Sequence, residues 1–161
     1  MSGGHLRQPE WYEPYDQTRI TASVAFNGAI GSRPLHLTAA WGGNREFNGY
    51  NGNADGYLLE WDFRLARLST VYGRAEVADK DLFGLGLHPK GLSHRHVFYK
   101  VGALTIGYVF DLPGRRRGRL GVGADATIYR MPTDLLQYYG GSNSYHLFLR
   151  WRPTLAAPHV H

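Results

Sequence analysis

Residues 56–65, GYLLEWDFRL, alternate between two kinds of side chain. Tyr57, Leu59, Trp61, Phe63 and Leu65 fall on one side; Leu58, Glu60, Asp62 and Arg64 fall on the other. A period of two is the signature of a β-strand, here with one apolar face and one largely charged face. The orientation of that strand decides the kind of protein. A soluble sheet turns its oily side inward, whereas a membrane barrel turns it out toward lipid, and the alternation is the same in both.

The pattern repeats along the chain. Segments 17–30, 34–47, 68–78, 96–112, 118–130 and 144–153 also read as strands, giving seven with the opening one at 56–66. Their apolar faces carry Ile20, Val24 and Phe26; Leu35, Leu37 and Trp41; Val71, Ala75 and Val77, the weakest set; Leu104, Ile106, Tyr108 and Phe110; Leu120, Val122 and Ile128; and Tyr145, Leu147, Leu149 and Trp151. Opposite them stand polar groups such as Arg19, His36, Arg74, Glu76, Asp111, Asp125, His146, Arg150 and Arg152. Gly102, Gly107, Gly121 and Gly123 lie within strands, where glycine allows bends or close packing. The one helical candidate is the short TDLLQYY stretch, with Thr133 as N-cap and Gly140 as stop.

Connection lengths organise these strands. The links GSR, AR and PGRRRG are short, and they alternate with NGYNGNADG, DKDLFGLGLHPKGLSHR and MPTDLLQYYGGSNS, which are long. Outer-membrane barrels have this arrangement, with short periplasmic turns and long external loops.

The 161-residue chain suits one domain. It has no cysteine, which excludes disulfides, thiol nucleophiles and thiolate metal sites. Its charge of +5 comes from 15 Arg and only 3 Lys against 13 acids, a balance that favours fixed bidentate contacts over solvated lysines. Eleven Tyr, 4 Trp and 21 Gly fit an all-β chain rich in interface aromatics. No apolar run approaches the 18 residues of a membrane helix. The opening MSGGHLRQPEWYEPYD is too polar for a signal peptide, which leaves a removed signal, an intracellular chain or a piece of a longer polypeptide.

Three features favour the oily face outward: aromatics near strand ends, acids and arginines at pairing distance on the polar faces, and scarce lysine. The expected fold is therefore an all-β, antiparallel up-and-down transmembrane β-barrel with seven strands recognised and an eighth open. Its lipid-facing aromatics would be Trp41, Tyr57, Trp61, Phe63, Tyr108, Phe110, Tyr145 and Trp151. Its lumen would be lined by Arg19, Glu60, Asp62, Arg64, Arg74, Glu76, Asp125, Arg150 and Arg152. The competing reading is a soluble β-barrel that binds a small apolar ligand in its core.

From LLEWDFRL and STVYGRAEVADKDLF through VGALTIGYVFDLP to LGVGADATIYRMP and YHLFLRWRP, the chain resembles the C-terminal part of porin-like bacterial outer-membrane β-barrel proteins, over about residues 17–153. The resemblance implies residence in a Gram-negative outer membrane, insertion by the barrel-assembly machinery, and contact with membrane lipids. Such barrels usually end on an aromatic; here Trp151 is followed by RPTLAAPHVH, a departure from the pattern. Seven strands also sit badly with the even number of single-chain bacterial barrels. Residues 1–16, with Trp11, Tyr12 and Tyr15 beside Pro9 and Pro14, are expected to be a loop remnant or an irregular first strand, and 154–161 a disordered tail. A piece of a larger barrel is the favoured reading; a filled eight-stranded barrel, or one closed by several copies, are the alternatives.

The charged residues support a porin-like passive channel for small polar solutes, or a structural envelope protein. Glu60, Asp62, Arg64, Arg74 and Glu76 could form a charged constriction or a lumen salt-bridge network. His94 and His96, two apart on a strand, could hold a metal but lack a third ligand at recognisable spacing, so a solvated loop is expected. The run Arg115, Arg116, Arg117 and Arg119 falls in a tight turn without interleaved aromatics, which points to headgroup or solvent contact and away from nucleic acid. Neither a nucleophile motif nor a dinucleotide fingerprint is present, so neither an enzyme nor a cofactor is expected.

Overall fold

The computed structural model describes residues 1–7, 16–46, 53–81, 98–113, 118–133, 135–136 and 141–153. They form one eight-stranded antiparallel sheet in which every strand pairs with its neighbours in sequence. The strands are β1 (Ser2–Leu6), β2 (Gln17–Ile30), β3 (Arg33–Glu46), β4 (Ala54–Ala66), β5 (Ser69–Asp81), β6 (Phe98–Asp111), β7 (Gly118–Arg130) and β8 (Asn143–Pro153). The seven alternating segments thus become β2 to β8, with ends shifted by three residues at most. Among the described residues no pairing joins β1 to β8, so the sheet is open.

β1 is the added strand. It holds only five residues, paired from Ser2 opposite Thr21 to Leu6 opposite Gln17. Its sequence, SGGHL, has no alternation to read; backbone pairing holds it, helped by Ser2 Oγ to Thr21 Oγ1 at 2.6 Å. With β1 included, the strand ends at 30 and 33, 66 and 69, and 111 and 118 lie at one end of the sheet, and those at 6 and 17, 46 and 54, 81 and 98, and 130 and 143 at the other. The two-residue turn between β2 and β3 places Gly31 at φ 62, a conformation that glycine adopts without steric cost. Thr133, Leu135 and Leu136 of the expected helical stretch adopt a helical turn. Trp11, Tyr12, Tyr15, Arg115, Arg116, Arg117, His94, His96 and the tail 154–161 lie outside the described residues.

Register carries each face across the whole sheet. One continuous row runs Leu37, Trp61, Gly73, Ile106, Ala126, Tyr145; the next runs Leu35, Phe63, Val71, Tyr108, Ala124, Leu147. This apolar face is the exposed one: Ile106 is 55% exposed, Val122 47%, Trp151 66% and Leu147 87%. The opposite face is polar and concave. Tyr72 on β5 and Phe148 on β8, three strands apart, bring their rings to 6.4 Å between centroids. In a flat sheet those strands would stand roughly 14 Å apart. Among the described residues, the only fully buried apolar side chains are Val109 and Leu135, while Gln17, Thr70, Asp111 and Thr127 are buried polar residues. The chain exposes 11990 Å², whereas a compact monomer of this mass exposes about 8,000 Å².

Aromatic rings fill the space above strand glycines on both faces. A Cβ on Gly73 would lie 2.0 Å from Trp61 on the outer side. On the inner side, a Cβ on Gly107 would meet Tyr72 at 2.2 Å, and one on Gly123 would meet Phe148 at 2.4 Å. Of the strand glycines named from the sequence, Gly107, Gly121 and Gly123 are closely packed, whereas a Cβ on Gly102 would meet nothing nearer than 3.7 Å.

Candidate functional site

The concave face is built by alternation: each strand contributes every second residue, and register sets them side by side. The row nearest mid-sheet reads Asn27, His36, Asp62, Tyr72, Gly107, Asp125, His146. The adjoining row toward the long loops reads Ala25, Thr38, Glu60, Arg74, Thr105, Thr127, Ser144. Arg19, Glu60, Asp62, Arg64, Arg74, Glu76, Asp125, Arg150 and Arg152 all fall on this face.

They separate into three groups. In the first, Arg74 donates through Nη1 to Glu60 at 3.2 Å and through Nη2 to Glu76 at 2.8 Å. One guanidinium therefore serves two carboxylates, and all three side chains are substantially solvated. Exposed pairs of this kind contribute little to stability. Their effect is to fix the positions of two negative groups on the face.

The second group centres on Asp125, whose carboxylate accepts from Tyr72 Oη at 2.8 Å and from His146 Nδ1 at 2.7 Å. An ionised carboxylate only accepts, so His146 carries its proton on Nδ1. Tyr72 reaches across β6 because residue 107, between it and Asp125, is glycine. Of these, Asp125 and His146 stand out by alternation alone. Tyr72 does not, because an aromatic on the polar side, between Thr70 and Arg74, resembles a break in pattern; the matching glycine on the next strand is the signal that could have found it.

The third group lies at the short-turn end. Arg150 Nη2 donates to Asp111 Oδ1 at 2.8 Å, and Arg152 Nη1 stands 3.7 Å from Asp111 Oδ2. Asp111 is buried, and a Cβ on residue 121 would sit 2.7 Å from its Oδ1, so Gly121 makes its place. Arg119 is the register partner of Arg152 on the same face. Arg19 is apart from all three groups, bonding Gln17 at 3.1 Å and Asn44 at 3.3 Å near the long loops. Among the described residues Arg64 and Asp62 meet no oppositely charged side chain.

The expected lipid-facing aromatics all lie on the apolar face. Tyr57, Tyr108, Phe110, Tyr145 and Trp151 are exposed there, while Trp41, Trp61 and Phe63 are half-buried against neighbours. Trp61 sits in mid-strand instead of near an end. Toward the long loops the same face turns charged: Arg45 pairs with Asp55 at 2.8 Å, Trp41 Nε1 donates to Asp55 at 3.1 Å, and Lys100 pairs with Asp79 at 2.9 Å. The outer surface therefore has an apolar field bounded by indole and ionic groups.

Near the long loops, small residues leave the concave face open. A cavity of about 490 Å³ there is bordered by Ser2, Thr21, Gly42, Gly56, Arg74 and Glu76. No group of three or more metal-ligating side chains occurs among the described residues, and no described helix is long and apolar enough to cross a membrane, which leaves strands untouched. No family model, curated protein or solved structure matches the chain.

Proposed function

We propose that these strands are part of the wall of a bacterial outer-membrane β-barrel, with the concave charged face lining an aqueous lumen that passes small polar solutes. One observation carries the reading. Seven strands turn apolar side chains to the exposed convex face and most of their charges to the concave one, the convex charges being confined to the long-loop end. Water would penalise that arrangement and hydrocarbon would favour it, because about 25 cal/mol is recovered per Å² of apolar surface removed from water. The field of Ile106, Val122, Leu147 and their neighbours is bounded by Trp41 and the Arg45–Asp55 and Lys100–Asp79 pairs. Tryptophan and charged groups behave this way at membrane interfaces.

Open edges fit a partial wall. In lipid every backbone group needs a partner, so β8 and the uncovered part of β2 must be paired by further strands. The reading as a soluble barrel with an apolar ligand in its core finds no such core among the described residues, where only Val109 and Leu135 are buried apolar groups.

The test has two arms. The full chain, refolded with phosphatidylcholine vesicles at a concentration that lets several copies pair their free edges, should float with them and resist extraction by urea or carbonate. Reconstituted in planar bilayers, it should give ion-conducting steps. A monodisperse protein that stays in the aqueous phase without detergent would refute the membrane reading. Stable insertion without conductance would refute the channel and leave a structural envelope protein.

A further inference from the structure

The ionic groups on the concave face are unequally distributed along the strands. Mid-sheet, Glu60, Asp62, Glu76 and Asp125 outnumber Arg74. At the short-turn end the balance reverses: Arg150 and Arg152 both approach one acid, Asp111, and Arg119 stands beside Arg152 in register. Their own strands offer no other nearby, since no acid occurs from residue 112 to 124 or anywhere in β8.

Three details show that Asp111 does not satisfy this cluster. It lies 2.8 Å from Arg150 but 3.7 Å from Arg152, beyond hydrogen-bonding reach of the second guanidinium. Arg119 stands directly opposite Arg152 in register on the same face. Like charges placed so across a strand pair are destabilising unless a counter-charge joins them. Finally, Nε of Arg150 is buried and has no hydrogen-bond partner, although buried donors are normally satisfied.

We infer that Arg119, Arg150 and Arg152 form a binding site for a phosphate-type oxyanion. Each guanidinium presents a planar fork of N–H donors that matches phosphate oxygens in pairs, which a lysine could not do. Asp111 holds Arg150 in place, and Gly121 provides the space that lets it. Arg152, which shares Asp111 only at 3.7 Å, and Arg119, which meets no carboxylate among the described residues, supply the excess positive charge that the ligand neutralises. That the anion arrives through a lumen rests on the channel proposal; the cluster itself belongs to β6, β7 and β8 whether or not the barrel conducts.

Equilibrium binding tests the site separately from conductance. Inorganic phosphate is titrated calorimetrically into the full chain refolded in zwitterionic detergent, alongside dihexanoyl phosphatidylglycerol as a lipid phosphate. Saturable binding of phosphate is expected. It should weaken at least tenfold in R119Q/R152Q, be partly kept in R119K/R152K, and be unchanged in R45Q on the outer face. Tighter binding of free phosphate than of the lipid assigns the ligand to the aqueous side; the reverse order assigns it to a headgroup, and either supports an oxyanion site. No saturable binding of either by folded wild type, or equal binding by a folded R119Q/R152Q, overturns it. Folding is monitored by far-UV circular dichroism. Should R119Q/R152Q not fold, R119K/R152K takes its place, and undiminished binding there overturns the bidentate geometry. Conductance without phosphate binding would remove the site and keep the channel; binding without conductance would do the opposite.

Discussion

Replacing Ile106 by arginine separates a membrane wall from a soluble sheet by the size of the cost. Ile106 sits near the middle of β6, paired on one side to Gly73 and on the other to Ala126, so neither sheet edge affects it. Its side chain is 55% exposed on the convex face. If that face meets hydrocarbon, the wild type gains about half of the 1.5–3 kcal/mol available to a buried isoleucine, roughly 1 kcal/mol, which the variant forfeits. Placing arginine near the bilayer midplane adds about 2–4 kcal/mol. The sum, about 3–5 kcal/mol, lowers the folding equilibrium constant by roughly a hundredfold or more. If that face instead meets water, an exposed substitution of this kind stays within about 0.5 kcal/mol. Reversible urea unfolding from phosphatidylcholine vesicles, followed by tryptophan fluorescence, measures the difference. Ala25→Arg on the concave face is the control, where lumen charges are tolerated and a change under about 1 kcal/mol is expected. Equal costs for the two variants would refute the assigned orientation.

The remaining predictions address packing, the inner network and ion selectivity. Gly73→Ala would place a methyl 2.0 Å from the Trp61 ring, forcing the indole off β5; an overpacking cost of about 1–3 kcal/mol is expected in the urea titration, with a shifted Trp emission maximum. Asp125→Ala strips Tyr72 and His146 of their shared acceptor and should cost about 1–3 kcal/mol, whereas Asp125→Asn keeps an oxygen and should cost less; equal losses would show that the pairing contributes nothing specific. Glu60→Gln removes one of the two negative groups held by Arg74, so the reversal potential across a salt gradient should move toward anion permeability. Unchanged selectivity would assign that triad a purely structural role.

The sequence made most strands legible because apolar and charged residues alternate without ambiguity, and β2 and β7 begin and end where that alternation does. β5 was the weakest because Gly73 interrupts its apolar side. The surface there is completed by Trp61 from β4, a contribution from a neighbouring strand that linear periodicity cannot register. β1 was hidden for the opposite reason: SGGHL carries no alternating signal, and only backbone pairing to β2 makes it a strand. Within the candidate site, Arg74 and Glu76 were readable as an i, i+2 pair. Asp111 was not readable as a hub, because its proximity to Arg150 depends on Gly121 and on two register choices spanning three strands. Single-strand pattern thus determines which face a residue takes, while pairing determines what it meets.

The uncovered edges constrain the assembled form more tightly than any side chain does. β1 pairs with Gln17 to Thr21 only, so among the described residues the outer edge of β2 is bare from 22 to 30, and the far edge of β8 is bare throughout. Each unpaired backbone group in hydrocarbon costs several kcal/mol. A handful of them would exceed the 5–15 kcal/mol by which a typical domain is stable. If lipid solvates the convex face, as proposed, closure of the edges must occur with it, since the first without the second is prohibitive. The expected consequence is cooperative: destabilising the β7–β8 pairing should release the whole sheet from the bilayer in one transition. Stepwise release of β8 alone, seen as early proteolysis within 143–153 while the other strands stay protected in vesicles, would contradict a closed wall.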